Sequence, residues 1–340
     1  MNVPRADAQS WPDSVLFSPF RVKSTELRNR IVFPPMKTNM DLVSEQAREY
    51  YARRARGGVA LVIVEGTDLS EFMEMAFPRG LAALARAIHD EGAAAAIQLF
   101  HSGWVDGDRV APTATGGART AHEREVAAIP GQFAEAAEVA ADAGFDGVEV
   151  HGAHGFFLNR FFSPEHNRRT DRYGGSLENR MRLGIECVGA VRGATPADFL
   201  VLYRHTPKAD YGLEDSISFA RKLEEAGLDV LDVSPSTSEG GEHADLAGAL
   251  KAAVSCAVIA VGGMEDPQAA EAVLQAGKAD LVAIGRALLA DPDLPRKVRE
   301  GRLDEIKACI KCHEKCYGNL AAGIPISCSQ NPEAGNEYRL

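Results

Sequence analysis

One short plan recurs along this chain and limits its fold more than any other feature. The stretches "DEGAAAAIQLFH", "DAGFDGVEVH", "EAGLDVLDVS" and "QAGKADLVAIG" each carry an acidic or amide residue, a small residue or Glu, a glycine, and then a short apolar run. Gly92, Gly144, Gly227 and Gly277 fall where a helix should end, because glycine takes a positive φ without steric cost. The apolar runs are too short for helices and too continuous for half-exposed strands, which is the pattern of parallel strands buried on both faces. Helix-period segments such as "GQFAEAAEVAADAG" and "DSISFARKLEEAG" precede them. Eight strands are expected: Ile31–Pro35, Val59–Glu65, Ala93–Phe100, Gly147–His151, Phe199–Arg204, Val230–Ser234, Val258–Val261 and Leu281–Ile284. Eight strands alternating with helices predict an α/β fold, a (β/α)8 barrel with its chemistry at the strand C-terminal ends. A doubly wound sheet is the alternative, and the lack of G-x-G-x-x-G after any strand counts against it.

Polar residues stand at those strand ends: Met36 and Lys37, Glu65 and Thr67, Gln98 and His101, His151 and His154, Arg204 and His205, then Ser234. Two late strands run into "VGGMED" and "AIGRALL". Their glycines, Gly262, Gly263 and Gly285, can offer backbone N–H groups to an anion, and Arg286 can add a bidentate charge. With Gln98 and Arg204 also facing the mouth, a phosphate-bearing cofactor is expected. His151 and His154 sit three apart in "HGAHGFFLNRFF", where a buried strand ends. Two unpartnered imidazoles there would be costly, so contact with a ligand is favoured over plain ring packing.

A length of 340 residues fits one large α/β domain or two ordinary ones. The net charge of −11 argues against a nucleic-acid or anionic-membrane partner. No apolar run reaches the length of a membrane span, and "MNVPRADAQSWPDS" lacks a signal core, so a cytoplasmic protein is expected. Of the 6 cysteines, Cys309, Cys312, Cys316 and Cys328 crowd into the last stretch. In a reducing compartment that crowding points to metal ligation over disulfides. The spacing C-x2-C-x3-C-x11-C suits a thiolate-bound cluster, and zinc is the generic alternative, although paired C-x2-C knuckles are its commoner pattern. Cys187 and Cys256 read as small core residues.

The stretch "HGAHGFFLNRFFSPEHNRRTDRYGGSLENRMRL" closely resembles the signature of the old yellow enzyme family, FMN-dependent oxidoreductases on a (β/α)8 barrel. The resemblance runs from "LFSPFRVKSTELRNRIVFPPM" to "VGGMEDPQAAEAVLQAGKADLVAIGRALLADPDLP", nearly the whole chain. It implies that Pro35, Met36 and Gly66 lie along the flavin and that Gln98 bonds its pyrimidine edge. Arg204 would sit near N1 and O2, and Gly262, Gly263, Gly285 and Arg286 would hold the phosphate. His151 and His154 would clamp an electron-withdrawing oxygen of a small-molecule substrate. In "NRRTDRYGGSLENRMR" the arginines and Asp171 are read as bracing a loop, with Ser176 as an N-cap. The cysteine spacing, followed by Asn331–Pro332, resembles the 4Fe–4S segment of the 2,4-dienoyl-CoA reductase and trimethylamine dehydrogenase branch. A barrel over residues 1–303 and a 4Fe–4S extension over 304–340 are therefore expected. No cysteine lies near Met36, where trimethylamine dehydrogenase attaches its flavin, so FMN is expected to be held without a covalent link.

The sequence departs from the family pattern at Lys37, where many members have Thr, Cys or His, and at Trp104, where many have arginine. Phe156 stands where most have a proton-donating tyrosine. His243, in "SEGGEH", is the first candidate for a replacement acid, with Tyr211 and a water chain as others. In the resembled branch the chain continues into a second flavin and dinucleotide domain. This chain stops at Leu340, so electrons are expected from NAD(P)H or from a separate redox protein through the cluster. The expected activity is reduction of an activated C=C bond, of enone or enoyl type, by hydride transfer from FMN N5. Oxidation of an amine or C–H bond and a non-catalytic electron-transfer subunit are the alternatives. The oligomeric state is left open, a homo-oligomer included.

Overall fold

A computed structural model describes residues 11–75, 78–235 and 243–340; residues 1–10, on which most of the N-terminal reading rests, lie outside them. Eight parallel strands form a closed ring: β1 (Ile31–Phe33), β2 (Leu61–Asp68), β3 (Ala94–Phe100), β4 (Gly147–Gly152), β5 (Leu200–His205), β6 (Val230–Val233), β7 (Ala257–Val261) and β8 (Leu281–Ala283). The last strand pairs back to the first, Val282 opposite Ile31. All eight expected strands are present, with ends moved by up to three residues. Gly92, Gly144, Gly227 and Gly277 take φ of +75°, +87°, +104° and +66° just beyond the helices, the left-handed turn that releases each chain into its strand.

Alternation along each strand sorts its side chains. Val32, Leu61, Ile63, Ala96, Leu202 and Ile259 fill the barrel interior. Their sequence neighbours, such as Val62, Ile97 and Val201, pack outward against the helices. A hairpin of Phe20–Val22 and Thr25–Leu27 closes the N-terminal end, and Lys23 fastens it to Asp229 at 2.9 Å, just before β6. At the opposite end the interior turns polar, with Glu65, Gln98, Glu149, Arg204 and Asp232 all buried.

The loop from β3 carries a small sheet, Trp104–Val105, Asp108–Ala111 and Arg119–Thr120. Arg169 braces it by donating to Pro112 O (3.1 Å) and Ala121 O (2.6 Å) and pairing with Asp171. Ser176 caps the helix Leu177–Ala194 through the Asn179 amide. No described helix is long and apolar enough to cross a membrane.

The segment from 304 onward has only short helical turns and runs back over the barrel. The Ile326 amide donates to Thr38 O (2.8 Å), and Asn331 Nδ2 to Leu289 O (2.9 Å). Its end is locked where Glu337 meets Arg54 of α1 (Glu45–Arg56); Arg54 is fully buried and Glu337 nearly so. Removing one partner of such a pair strands the other charge. Glu337→Ala is therefore expected to lower the unfolding free energy by about 3–5 kcal/mol, measured by urea denaturation.

Candidate active site

A cavity of about 650 Å³ opens at the C-terminal ends of the strands, within the size range of small-molecule and cofactor sites. Pro35, Met36, Lys37, Gly66, Gln98, His151, His154, Arg204, Gly262, Gly263, Gly285 and Arg286 all line it. They come from loops or strand ends far apart in sequence, and the barrel alone brings them together.

The floor is the polar layer. Gln98 lies opposite Glu149 in register, and Arg204 opposite both His151 and Asp232. Gln98 Nε2 donates to Glu149 Oε1 at 2.8 Å. Arg204 Nη2 donates to Ser234 Oγ at 3.0 Å, while its Nε is buried without a hydrogen-bond partner. Gly66 and Gly285 keep the space open: a Cβ on Gly66 would come within 2.6 Å of Gln98 Oε1, and one on Gly285 within 3.1 Å of Met36 Sδ. Lys37 does not run free into solvent. Its ammonium meets the buried Glu65 carboxylate at 2.8 Å, and that carboxylate also accepts from the Thr38 amide at 2.6 Å.

The two histidines stand side by side, ring centres 5.5 Å apart. His154 takes a left-handed backbone, φ +58°, between the strand end and Gly155, which turns its ring over the strands. Its Nε2 lies 3.0 Å from Ser234 Oγ. Burial, and then the Arg204 charge, bring its pKa down to about 4, and burial with Arg204 and His154 holds His151 well below its ordinary value. Both rings are thus neutral at pH 7, each with one N–H and one lone pair. His151 Nδ1 is buried with no protein partner. Phe156 packs on His151 at 4.6 Å and on Phe100 at 5.3 Å, filling the mouth with a ring that has no proton to give.

The replacement acids suggested by the sequence stand elsewhere. His243 does not line the cavity; it begins the helix His243–Lys251, and a Cβ on Gly262 would meet its Nδ1 at 2.1 Å. Tyr211 is buried, donating to Thr206 O and accepting from Asn159 Nδ2, both at 2.8 Å. Trp104 is exposed and off the cavity wall. His205, adjacent to Arg204, points into the helix layer, where it meets Ser216 Oγ at 2.8 Å. His101 packs on Phe157 and accepts from the Gly103 amide.

At the end formed by β7 and β8, Gly262 and Gly263 take φ of +103° and +75°. Arg286 lies beside them on the wall and donates to His313 of the cysteine segment. Lys311, from the same segment, pairs with Glu265 at 2.9 Å. Cys309, Cys312, Cys316 and Cys328 surround a second, smaller cavity, and Cys309 and Cys316 also face the main one. Lys311 and His313 adopt left-handed backbones within this loop. The Ser329 hydroxyl, 3.1 Å from Cys312 Sγ, holds that thiol below its ordinary pKa. Among the described residues no three of the four sulfurs lie within 4.8 Å of one another. A single zinc ion with ligands at about 2.3 Å would draw its sulfurs to about 3.8 Å apart. Cys187 is fully buried, and burial pushes the Cys256 thiol up to about 12, as suits core residues.

The donor set fits FMN. A cationic, glycine-rich end suits a phosphate, an amide and a guanidinium suit the pyrimidine edge, and the glycines leave room where any side chain would intrude. Glu149 and Asp232, beneath the floor, were missed in the sequence. The signal was present: each is a lone acid inside an apolar strand, in phase with an inward-facing residue.

Residues 15–305 match the NADH:flavin oxidoreductase / NADH oxidase family. The chain is 37% identical to an NADH oxidase of Thermoanaerobacter brockii over 95% of its own length and 56% of that protein. It is 30% identical to a cinnamate reductase of Clostridium sporogenes, covering 95% of this chain and 58% of that one. The structure of 2-naphthoyl-CoA reductase bound to 2-naphthoyl-CoA superposes with a TM-score of 0.89 at 26% identity, over 96% of this chain and 58% of the other. The chain thus spans slightly more than half the length of these three relatives. With the closed barrel and its glycine-rich cavity, these likenesses make the chain a member of the old yellow enzyme family of FMN-dependent oxidoreductases.

Proposed function

We propose that this chain reduces an activated C=C bond, of enone or enoyl type, in a small-molecule substrate. FMN would occupy the barrel-mouth cavity, and Cys309, Cys312, Cys316 and Cys328 would hold a 4Fe–4S cluster fed by NAD(P)H or a partner redox protein. The observation that carries this reading is the neutral pair His151 and His154 on the cavity wall, one with an unpartnered ring nitrogen. A carrier that only relays electrons has no use for such a clamp. The cinnamate reductase among the relatives supports the substrate class by its name.

Bound FMN would supply the hydride, and the cluster single electrons. The residues do the rest. Pro35, Met36 and Gly66 would seat the flavin ring, Gln98 and Arg204 would hold its pyrimidine edge, and Gly262, Gly263, Gly285 and Arg286 would hold the phosphate. Lys37, fixed by Glu65, keeps a positive charge on the wall. His151 and His154 turn N–H groups to the substrate oxygen, where negative charge builds as the bond is reduced. Phe156 packs on His151 but cannot protonate the second carbon. With His243 and Tyr211 off the wall, that proton arrives slowly, from solvent or from another acid of the wall such as Tyr317. Phe156 also favours a second reading, oxidation of an amine or C–H bond, which needs no such proton.

For the cluster, the C-x2-C-x3-C-x11-C spacing and the cavity shared with the flavin site support iron–sulfur over zinc. Anaerobic protein is expected to carry about four irons and four sulfides per chain, and Cys312→Ser to lose them while keeping FMN. Stoichiometric zinc without iron would overturn this. Arg286→Ala is expected to weaken FMN binding by about 1.5–3 kcal/mol, read by fluorescence titration of the apoprotein; unchanged affinity would remove Arg286 from the phosphate site. Phe156→Tyr is expected to speed turnover of a model enone by about 10²-fold or more, with little effect on quinone reduction by the same reduced protein. Unchanged enone turnover would move the weight to the oxidative reading.

A further inference from the structure

Beneath the cavity floor two fully buried acids stand on either side of β5: Glu149 from β4 and Asp232 from β6. Glu149 Oε1 accepts from Gln98, but Glu149 Oε2 and both oxygens of Asp232 have no hydrogen-bond donor. The nearest cationic group to Asp232 is Arg204, its Nε 3.5 Å away. The other charged or titratable groups of the layer are engaged elsewhere or neutral: Glu65 of β2 holds Lys37, and His151 is uncharged. Two carboxylates against one guanidinium would leave a net negative charge and three bare oxygens in a fully buried layer, which is costly.

A single proton removes the excess charge and gives two of the three oxygens a partner. Placed on Glu149 Oε2, it supplies the missing donor to Asp232 and leaves one anion for one cation. We propose that Glu149 is a neutral acid that donates to Asp232, and that this pair positions Gln98 and Arg204 under the flavin. Burial and the neighbouring Asp232 raise Glu149 well above the usual carboxyl range; Asp232, also raised by burial, is restrained by Arg204 and by its bond with Glu149. The consequence reaches the floor in two ways. With its N–H group committed to Glu149 Oε1, Gln98 turns its own Oε1 toward Gly66 and the cavity as an acceptor. Asp232 holds the Nε side of the Arg204 guanidinium, leaving the Nη groups toward Pro35 and Ser234 at the cavity. Glu149 is a positioning residue: it acts through Gln98 and Arg204.

This inference rests on the FMN assignment above, but its test does not depend wholly on it. Apoprotein at neutral pH is expected to show the infrared carbonyl band of a protonated carboxylic acid, and Glu149→Gln to lose it; a wild-type spectrum without the band overturns the proposal. Glutamine matches a neutral acid in shape and can make both bonds, so E149Q is expected to keep FMN affinity within about twofold and the midpoint potential of the bound flavin unchanged. Glu149→Leu, which frees Gln98 and leaves Asp232 without its donor, is expected to weaken FMN binding about tenfold or more. A shifted potential or a tenfold loss of affinity in E149Q would show that Glu149 works as an anion and sink the proposal. Wild-type protein that fails to bind FMN would instead refute the functional reading, while the infrared band still decides the state of the pair.

Discussion

Closure of the eight-stranded ring governs everything else in this molecule. It leaves no free strand edge, and it forces alternate side chains of every strand into one dry interior. Apolar residues fill that interior from the hairpin plug upward. Where they stop, buried polar side chains take over the interior. Gln98 and Glu149 form one pair there, and Arg204 and Asp232 another beside it. Their fixed geometry is the base on which the barrel-mouth cavity stands.

Much of this was legible in the sequence because the period-two pattern and the glycine stops are local properties. The strand cores, the helix-ending glycines and the loop residues of the cavity needed no long-range information. What was lost depends on direction and depth. Arg204 and His205 are neighbours in sequence, yet one faces the cavity and the other the helix layer. His243 sits at the end of a strand loop as expected, but its ring packs beside Gly262 and off the cavity wall. Glu149 and Asp232 were passed over because a strand reads as apolar even when it carries one acid. Only the register between strands shows that the acids share a layer.

The cysteine segment illustrates a different limit. Its spacing announces soft-metal chemistry, but nothing in the spacing says where the loop will rest. The structure lays it against the cavity, so that Cys309 and Cys316 belong to two cavities at once. Lys311 and His313 extend the same contact to Glu265 and Arg286. The segment is therefore part of the wall of the flavin-type cavity as well as the carrier of the thiols.

The lock between Arg54 and Glu337 has a consequence for biosynthesis. The two residues lie 283 positions apart. A ribosome will have released α1, guanidinium included, long before the acid that neutralises it exists. During that interval Arg54 cannot enter the interior without an unpaired charge, so α1 cannot settle fully on β1 and β2. The barrel's opening segment must wait in a solvated, provisional state until Glu337, 283 positions downstream of Arg54, has been made.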